Sequence, residues 1–246
     1  MLNNITIGRY FQEDSVVHKL NPVFKIISLI TMIISIFFLD SYIDILMLSC
    51  VLILGILYSN IDIKIYLKNI SGIKIFLIFI LVIDIIFFTS VSKIIFDLYK
   101  LIFMILLSSL LTYTTSVTEL TYGIEILLRP LNKIIPVSDI AMIITLCIRY
   151  IPSLTYEAGR IIRVQRLRGI NFDTKNIKEK IISISGVLMP MFVMGVKKSS
   201  AMADIMDIRL YNYGKSKTNY RTNNWNLRDT LILILVILIL IIVIFY

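Results

Sequence analysis

Histidine, cysteine and acidic residues are all scarce in this 246-residue chain, which holds one His, two Cys and 16 Asp and Glu. A lone histidine excludes the paired-histidine zinc signature of helical metalloproteases and leaves no convincing nucleophile with a base beside it. Cys50 and Cys147 lie in separate apolar runs, which gives neither a disulfide framework nor a metal-ligand spacing and reads as two buried small hydrophobes. No G-x-x-x-x-G-K-[ST] loop is present, so a nucleotide phosphate has no cradle here. Charged residues make up only 17% of the chain, against 58% hydrophobic residues and a mean hydropathy of +0.88. An ordinary soluble domain holds about 45–50% apolar residues, so a soluble enzyme and a disordered chain are both excluded.

What remains is a set of apolar runs, at about 23–39, 43–58, 73–88, 94–117 and 231–246. Their continuous Ile, Leu, Val and Phe lack the alternation of a barrel strand, and each approaches the roughly 20 residues a helix needs to cross a bilayer. The expectation is an all-α, polytopic membrane bundle of about five spans, multi-pass in the cell membrane, carrying a cytoplasmic or interfacial lobe. Residues 1–117 form the N-terminal membrane region, 118–226 the lobe and 227–246 the last span. The first twenty-two residues lack the apolar stretch of a cleavable signal peptide.

Charge is biased as well as sparse: 25 Lys and Arg give a net +9. The stretch from Arg149 to Arg228 alone has 15 basic and 5 acidic residues, and basic loops stay cytoplasmic. The N-terminus is then inside, Asp40 and Asp44 lie outside, and Tyr246 ends outside. Nucleic acid is not expected as a partner, since there is no reader motif or array of stacking aromatics. The lipid bilayer is.

Between residues 118 and 226 the solid runs give way to segments punctuated by Pro130, Pro136, Pro152 and Pro190. Pro152 reads as a first-turn proline, followed by an apolar face of Ile151, Leu154, Ala158, Ile161 and Ile162, with Arg160, Arg163 and Arg166 opposite. Ala141 to Tyr150 reads as a helix lying at the membrane interface, with a sixth crossing as the alternative. Arg168 sits at the edge of the apolar face in the last turn, before Gly169, which can take the left-handed conformation that ends a helix. A second helix, with Pro190 near its start, carries an apolar stripe of Met191, Met194, Met202, Ile205 and Met206, interrupted by Lys198 and leading to Arg209. Flexible, polarizable methionines suit a surface that repacks against more than one partner. Two arginine-tipped helices, each presenting a five-donor fork suited to a carboxylate, describe a mechanical coupler better than a catalyst.

These residues carry a likeness that covers most of the chain. Ser15–Lys25, SVVHKLNPVFK, resembles the amino-terminal S-x-x-H-x-L-(D/N)-P-x-x-K of the energy-coupling factor (ECF) transporter T components, the EcfT/CbiQ family. So do Thr114–Leu131, TTSVTELTYGIEILLRPL, and Ile148–Pro152, IRYIP. Gln165–Gly169, QRLRG, and Ala201–Tyr211, AMADIMDIRLY, are similar to the two Ala-Arg-Gly signatures that end the family's coupling helices. Here Leu167 replaces the first alanine, and Ile208 and Leu210 replace the alanine and glycine around the second arginine. The resemblance implies a non-enzymatic subunit of an ATP-driven ABC-type importer of vitamins or transition-metal ions. Its partners would be two cytosolic ABC ATPase subunits, docked at Arg168, Gly169 and Arg209, and a membrane substrate-binding S component on the methionine face. The chain itself would hold no cofactor and no metal, ATP being bound by the partner ATPases.

Three other readings fit less well. A conventional ABC importer permease couples through E-A-A-x-x-x-G; Glu157-Ala158-Gly159 begins similarly, but Arg163 stands where the glycine belongs. A membrane-embedded enzyme lacks its catalytic constellation. A secondary transporter wants paired repeats and helices broken at mid-membrane, and neither is legible. Asp84, an ionisable group inside an apolar run, is a further candidate residue.

Overall fold

The computed structural model describes residues 10–11, 13–39, 41–87, 90–174, 176–212 and 226–245, with no side-chain description for 244 and 245. Asp40 and Tyr246, which enter the orientation argument, lie outside the described residues. Among the described residues the regular structure is all helical: α1 (Pro22–Phe37), α2 (Tyr42–Tyr58), α3 (Ile63–Gly72), α4 (Lys74–Ile86), α5 (Val91–Thr114), α6 (Val117–Leu128), α7 (Val137–Leu167), α8 (Ile177–Ile208) and α9 (Leu227–Phe245), with a short 3-10 turn at Arg129–Lys133. This is a helical membrane bundle. The chain divides into two compact units, one containing α1–α6 and α9, the other α7 and α8.

In the first unit α1, α2, α5 and α9 pack on a core of Met32, Ile36, Leu48, Leu52, Phe103, Leu107 and Val236; α1 and α2, of 16 and 17 residues, are shorter than a full crossing, so among the described residues three helices, or four with the bent pair α3 and α4, are long and apolar enough to span where about five were expected. The outward faces of this unit are oily, as lipid-facing surfaces must be: Leu46, Ile75 and Phe87 are all exposed. The run expected as one span at 73–88 is the second half of a bent one, because α3 and α4 meet at Ile73 at 54° and qualify as a span only together. Asn69 explains why α3 folds inward, since its amide donates to Ser109 Oγ at 2.8 Å and Tyr113 Oη at 2.6 Å on α5. Asp84 falls in the last turn of α4, half-buried and near the end of the bent span.

The amino-terminal motif is the lock of this bundle. Asn21 caps α1, its side chain accepting from Val23 N at 3.0 Å, and Pro22 opens the first turn. His18 Nε2 donates to Phe11 O at 3.0 Å, and its Nδ1 accepts from Ser15 Oγ at 2.6 Å, so the histidine is a clasp at the helix entry. Lys25 Nζ donates to His18 O at 3.1 Å and to Thr114 O at 3.0 Å, at the end of α5. The Thr114–Leu131 motif answers from the other side. Ser116 and Glu119 form a capping box that starts α6, and Gly123 lets α6 approach α1 so closely that a Cβ there would stand 2.8 Å from Ile26 Cδ1. Asp229 of α9, fully buried, accepts from Asn21 N at 3.3 Å and Asn226 N at 3.1 Å.

The second unit departs from the sequence reading in helix length. Pro152 and Pro190 do not open helices; both lie inside them, in α7 of 31 residues and α8 of 32. A proline removes one backbone bond and bends a helix without ending it where the flanking residues favour helix on both sides. By length and composition α7 and α8, like α5, are each long and apolar enough to cross a membrane. Cys50 and Cys147 are also corrected: both are exposed, on the surfaces of α2 and α7, where a small apolar thiol suits a lipid-facing position.

Candidate coupling site

Helices α7 and α8 run antiparallel. Near one end of the pair Gln165 Nε2 donates to Gly186 O at 2.9 Å, and Ser183 Oγ donates to Asn171 O at 3.0 Å. Midway, Lys198 Nζ donates to Glu157 Oε1 at 2.5 Å and Ser153 Oγ at 2.8 Å. At the far end Tyr211 Oη donates to buried Asp139 Oδ1 at 2.7 Å.

The two helices terminate identically. Arg168 is the C-cap of α7; Gly169 follows at φ +87°, its N–H reaching Arg166 O at 3.0 Å, and Ile170 N reaches Gln165 O at 3.1 Å. Arg209 is the C-cap of α8; Leu210 follows at φ +55°, its N–H reaching Asp207 O at 2.9 Å, and Tyr211 N reaches Met206 O at 2.9 Å. Both are Schellman caps, with the arginine in the same register one residue before the left-handed position. The glycine missing from the second signature is replaced in conformation by Leu210, which bears the steric cost of about 1–2 kcal/mol that a Cβ meets there.

Arg168 and Arg209 are exposed, and among the described residues neither is paired with a carboxylate. Arg166, two residues before Arg168, is by contrast engaged, 3.8 Å from Asp173 and over the Phe172 ring. The apolar neighbours of the two free arginines project outward as well: Leu167 is 89% exposed, Ile208 81% and Leu210 88%. Each tip is therefore a cation set among bare aliphatic side chains at the negative end of a helix dipole.

The faces of the arms differ from one another. On α7, Leu154, Ala158, Ile161 and Ile162 are half-buried while Arg160 and Arg163 are exposed, as their periodicity requires; Ile151, expected on the same face, is 39% exposed. On α8 the stripe of Met191, Met194, Met202 and Met206 is half-buried and shares its side with Lys198, whose ammonium reaches α7; Ile205 is 47% exposed. The lysine that interrupts the stripe is thus a link between the helices. The barest apolar surface of α8 is the opposite one, where Met189 and Phe192 are each 70% exposed, Val193 47% and Val196 51%. These four residues recur at 3- and 4-residue spacing, a helical face legible in the sequence beside the methionine stripe. Among the described residues no group of three or more His, Cys, Asp or Glu is placed to hold a metal ion.

Residues 13–220 match the CbiQ family, described as cobalt transport protein. The chain is also similar over nearly its whole length to proteins named energy-coupling factor transporter transmembrane protein EcfT. That of Ruminiclostridium cellulolyticum is 33% identical over 94% of this chain and 93% of its own length. That of Streptococcus equi subsp. equi is 30% identical over 95% and 93%, and that of Bacillus subtilis 28% identical over 95% of each.

Proposed function

Because the chain belongs to the EcfT/CbiQ family of transporter membrane components, we propose that it is the coupling subunit of an ATP-driven importer of vitamins or transition-metal ions and uses α7 and α8 as arms. Each arm tip docks in one of two cytosolic ABC ATPase subunits, and the S component rides on the apolar surface of the arms. ATP is bound by those partners; this chain contributes no catalytic group.

The observation that carries the proposal is the duplicated tip. Arg168 and Arg209 stand in the same cap register yet at opposite ends of an antiparallel pair, and the 29 residues from Asp139 to Leu167 separate them by roughly 40 Å along α7 at 1.5 Å per residue. Two cations so far apart serve two sites, one per ATPase. Closure of the ATPases on ATP draws the tips together or apart, and the prolines inside both arms give the helices places to flex. The half-buried methionine stripe is the surface on which the arms repack against each other as they move. Met189, Phe192, Val193 and Val196 offer the S component its seat.

The same geometry constrains topology. Arms standing upright across the bilayer would put the tips on opposite sides, since about 40 Å matches the membrane with its interfaces. Both tips meet cytosolic partners only if the pair lies along the membrane, in keeping with the basic residues of 149–228. Co-purification tests the docking. Arg168→Glu and Arg209→Glu each lose one desolvated pair, of order 2–5 kcal/mol, and leave a partial complex; the double variant loses both ATPases, while Arg163→Glu on the solvated face assembles normally. Normal assembly of the double variant, or equal damage from Arg163→Glu, contradicts the two-tip reading.

A further inference from the structure

Inside the bundle lies an apolar cavity of about 370 Å³, walled by α1, α2, α5 and α9 through Leu29, Met32, Leu52, Gly55, Leu107 and Val236. It is more than twice the roughly 150 Å³ that accommodates benzene in a protein interior. One polar group of particular weight lines it: Lys25, only 6% exposed, spends two of its three ammonium donors on His18 O and Thr114 O. The third has no acceptor among the described residues, and none of the described carboxylates forms an ion pair with it. Beside this cavity is a polar hollow of about 290 Å³ that shares Val16 and Leu20 with it and is edged by Lys19 and Arg228. The hollow's acidic residues are already engaged, Asp229 by two backbone N–H groups and Asp14 by Lys19 at 3.6 Å.

The geometry points to a binding site for one anionic phospholipid, with an acyl chain in the cavity and the phosphate in the hollow against Lys19 and Arg228, Lys25 supplying its free donor below. The dimensions favour a lipid over a protein helix. From Lys25 to Met32 the cavity follows two turns of α1, about 10 Å, which suits a chain from one leaflet and is a third of the roughly 30 Å that a helix must cross. The hollow sits at the N-terminal end of α1, so the lipid comes from the leaflet on that side, the cytoplasmic one if the N-terminus is inside. Such a lipid packs α9 against α1 and α2. The inference requires only that the bundle is membrane-embedded, and stands or falls independently of the arms.

The full-length chain in phosphatidylcholine nanodiscs, supplemented with phosphatidylglycerol and read by native mass spectrometry, tests it. One phosphatidylglycerol is retained per chain, with a preference over phosphatidylcholine of about thirtyfold from two basic residues near the head group. Lys19→Glu combined with Arg228→Glu, both at the surface, abolishes the preference. Met32→Trp, which fills the deep end, abolishes retention, and should that variant fail to fold the surface pair decides alone. Inorganic phosphate at millimolar concentration does not displace the lipid. Absence of a stoichiometric lipid, unchanged preference in the surface variant, unchanged retention in a folded Met32→Trp chain, or displacement by phosphate overturns the proposal.

Discussion

The bundle helices are oilier than the arms, and the two regions use their polar side chains in opposite ways. In the bundle, polar side chains are spent internally. Asp229, Asn21, Lys25, Thr114 and Asn69 tie α1, α3, α5 and α9 to one another, and the family-like motifs at 15–25 and 114–131 are mostly the residues of that lock. In the arms only Val137, Asp139, Ala141, Ser183 and Val187 are buried within the helices, and the tips are left exposed. On the proposed function, the contacts that cover the tips come from other chains. Motif residues in the bundle thus tie its helices together, whereas those at the arm tips are exposed, where the proposed docking would use them.

Substitutions should respect that division. The largest loss of stability is expected at Asp229→Ala, which takes the carboxylate from the buried Asn21 N–H at about 1–3 kcal/mol and leaves the N–H of exposed Asn226 to solvent; thermal unfolding of the chain in detergent checks it. Arg168→Ala, by comparison, should leave the melting curve within the error expected of an exposed position, about 0.5 kcal/mol. Similar losses from the two would erase the distinction between lock and tip. Gly123→Ala comes next, at about 1–3 kcal/mol of overpacking against Pro22 and Ile26, visible in the same melt.

A subtler effect separates the arms from each other. Lys198→Met strands the half-buried Glu157 carboxylate, whereas Lys198→Met with Glu157→Leu removes both charges and should recover most of the loss. The cycle gives a coupling of about 0.5–3 kcal/mol for residues in contact; additive effects would mean that the ion pair does not hold the arms together. Smallest is Leu210→Gly. It relieves the left-handed leucine and should stabilise the end of α8 by about 1 kcal/mol without impairing co-purification with the ATPases.

Much of this was readable in the sequence, and the unreadable parts share a cause. Continuous Ile, Leu and Val runs announce membrane helices, and Arg followed by Gly after an amphipathic stretch announces the end of α7. The second tip could be placed by its position at the end of the stripe, although nothing local shows that Leu210 adopts the glycine conformation. Pro152 and Pro190 misled because a first-turn proline and an interior proline differ only in what precedes them, and Ala141–Tyr150 is helical enough to continue the turn. The bend at Ile73 depends on Asn69 finding α5, forty residues and more downstream. Lys198 appeared as a flaw in an apolar stripe because Glu157, its partner, lies on another helix. Periodicity reveals a face; it does not reveal what the face meets.

The central claim, that both arm tips face the same cytosolic side, has a direct test. In a Cys50→Ser, Cys147→Ser background, single cysteines at Lys178, near the Arg168 end, and at Asn212, near the Arg209 end, are probed with a membrane-impermeant thiol reagent on intact cells and on inverted vesicles. The account predicts that both positions are labelled in inverted vesicles and neither in intact cells. Labelling of one position from each side would show the pair standing across the bilayer, with one arginine beyond the reach of any cytosolic ATPase, and would contradict the two-tip mechanism.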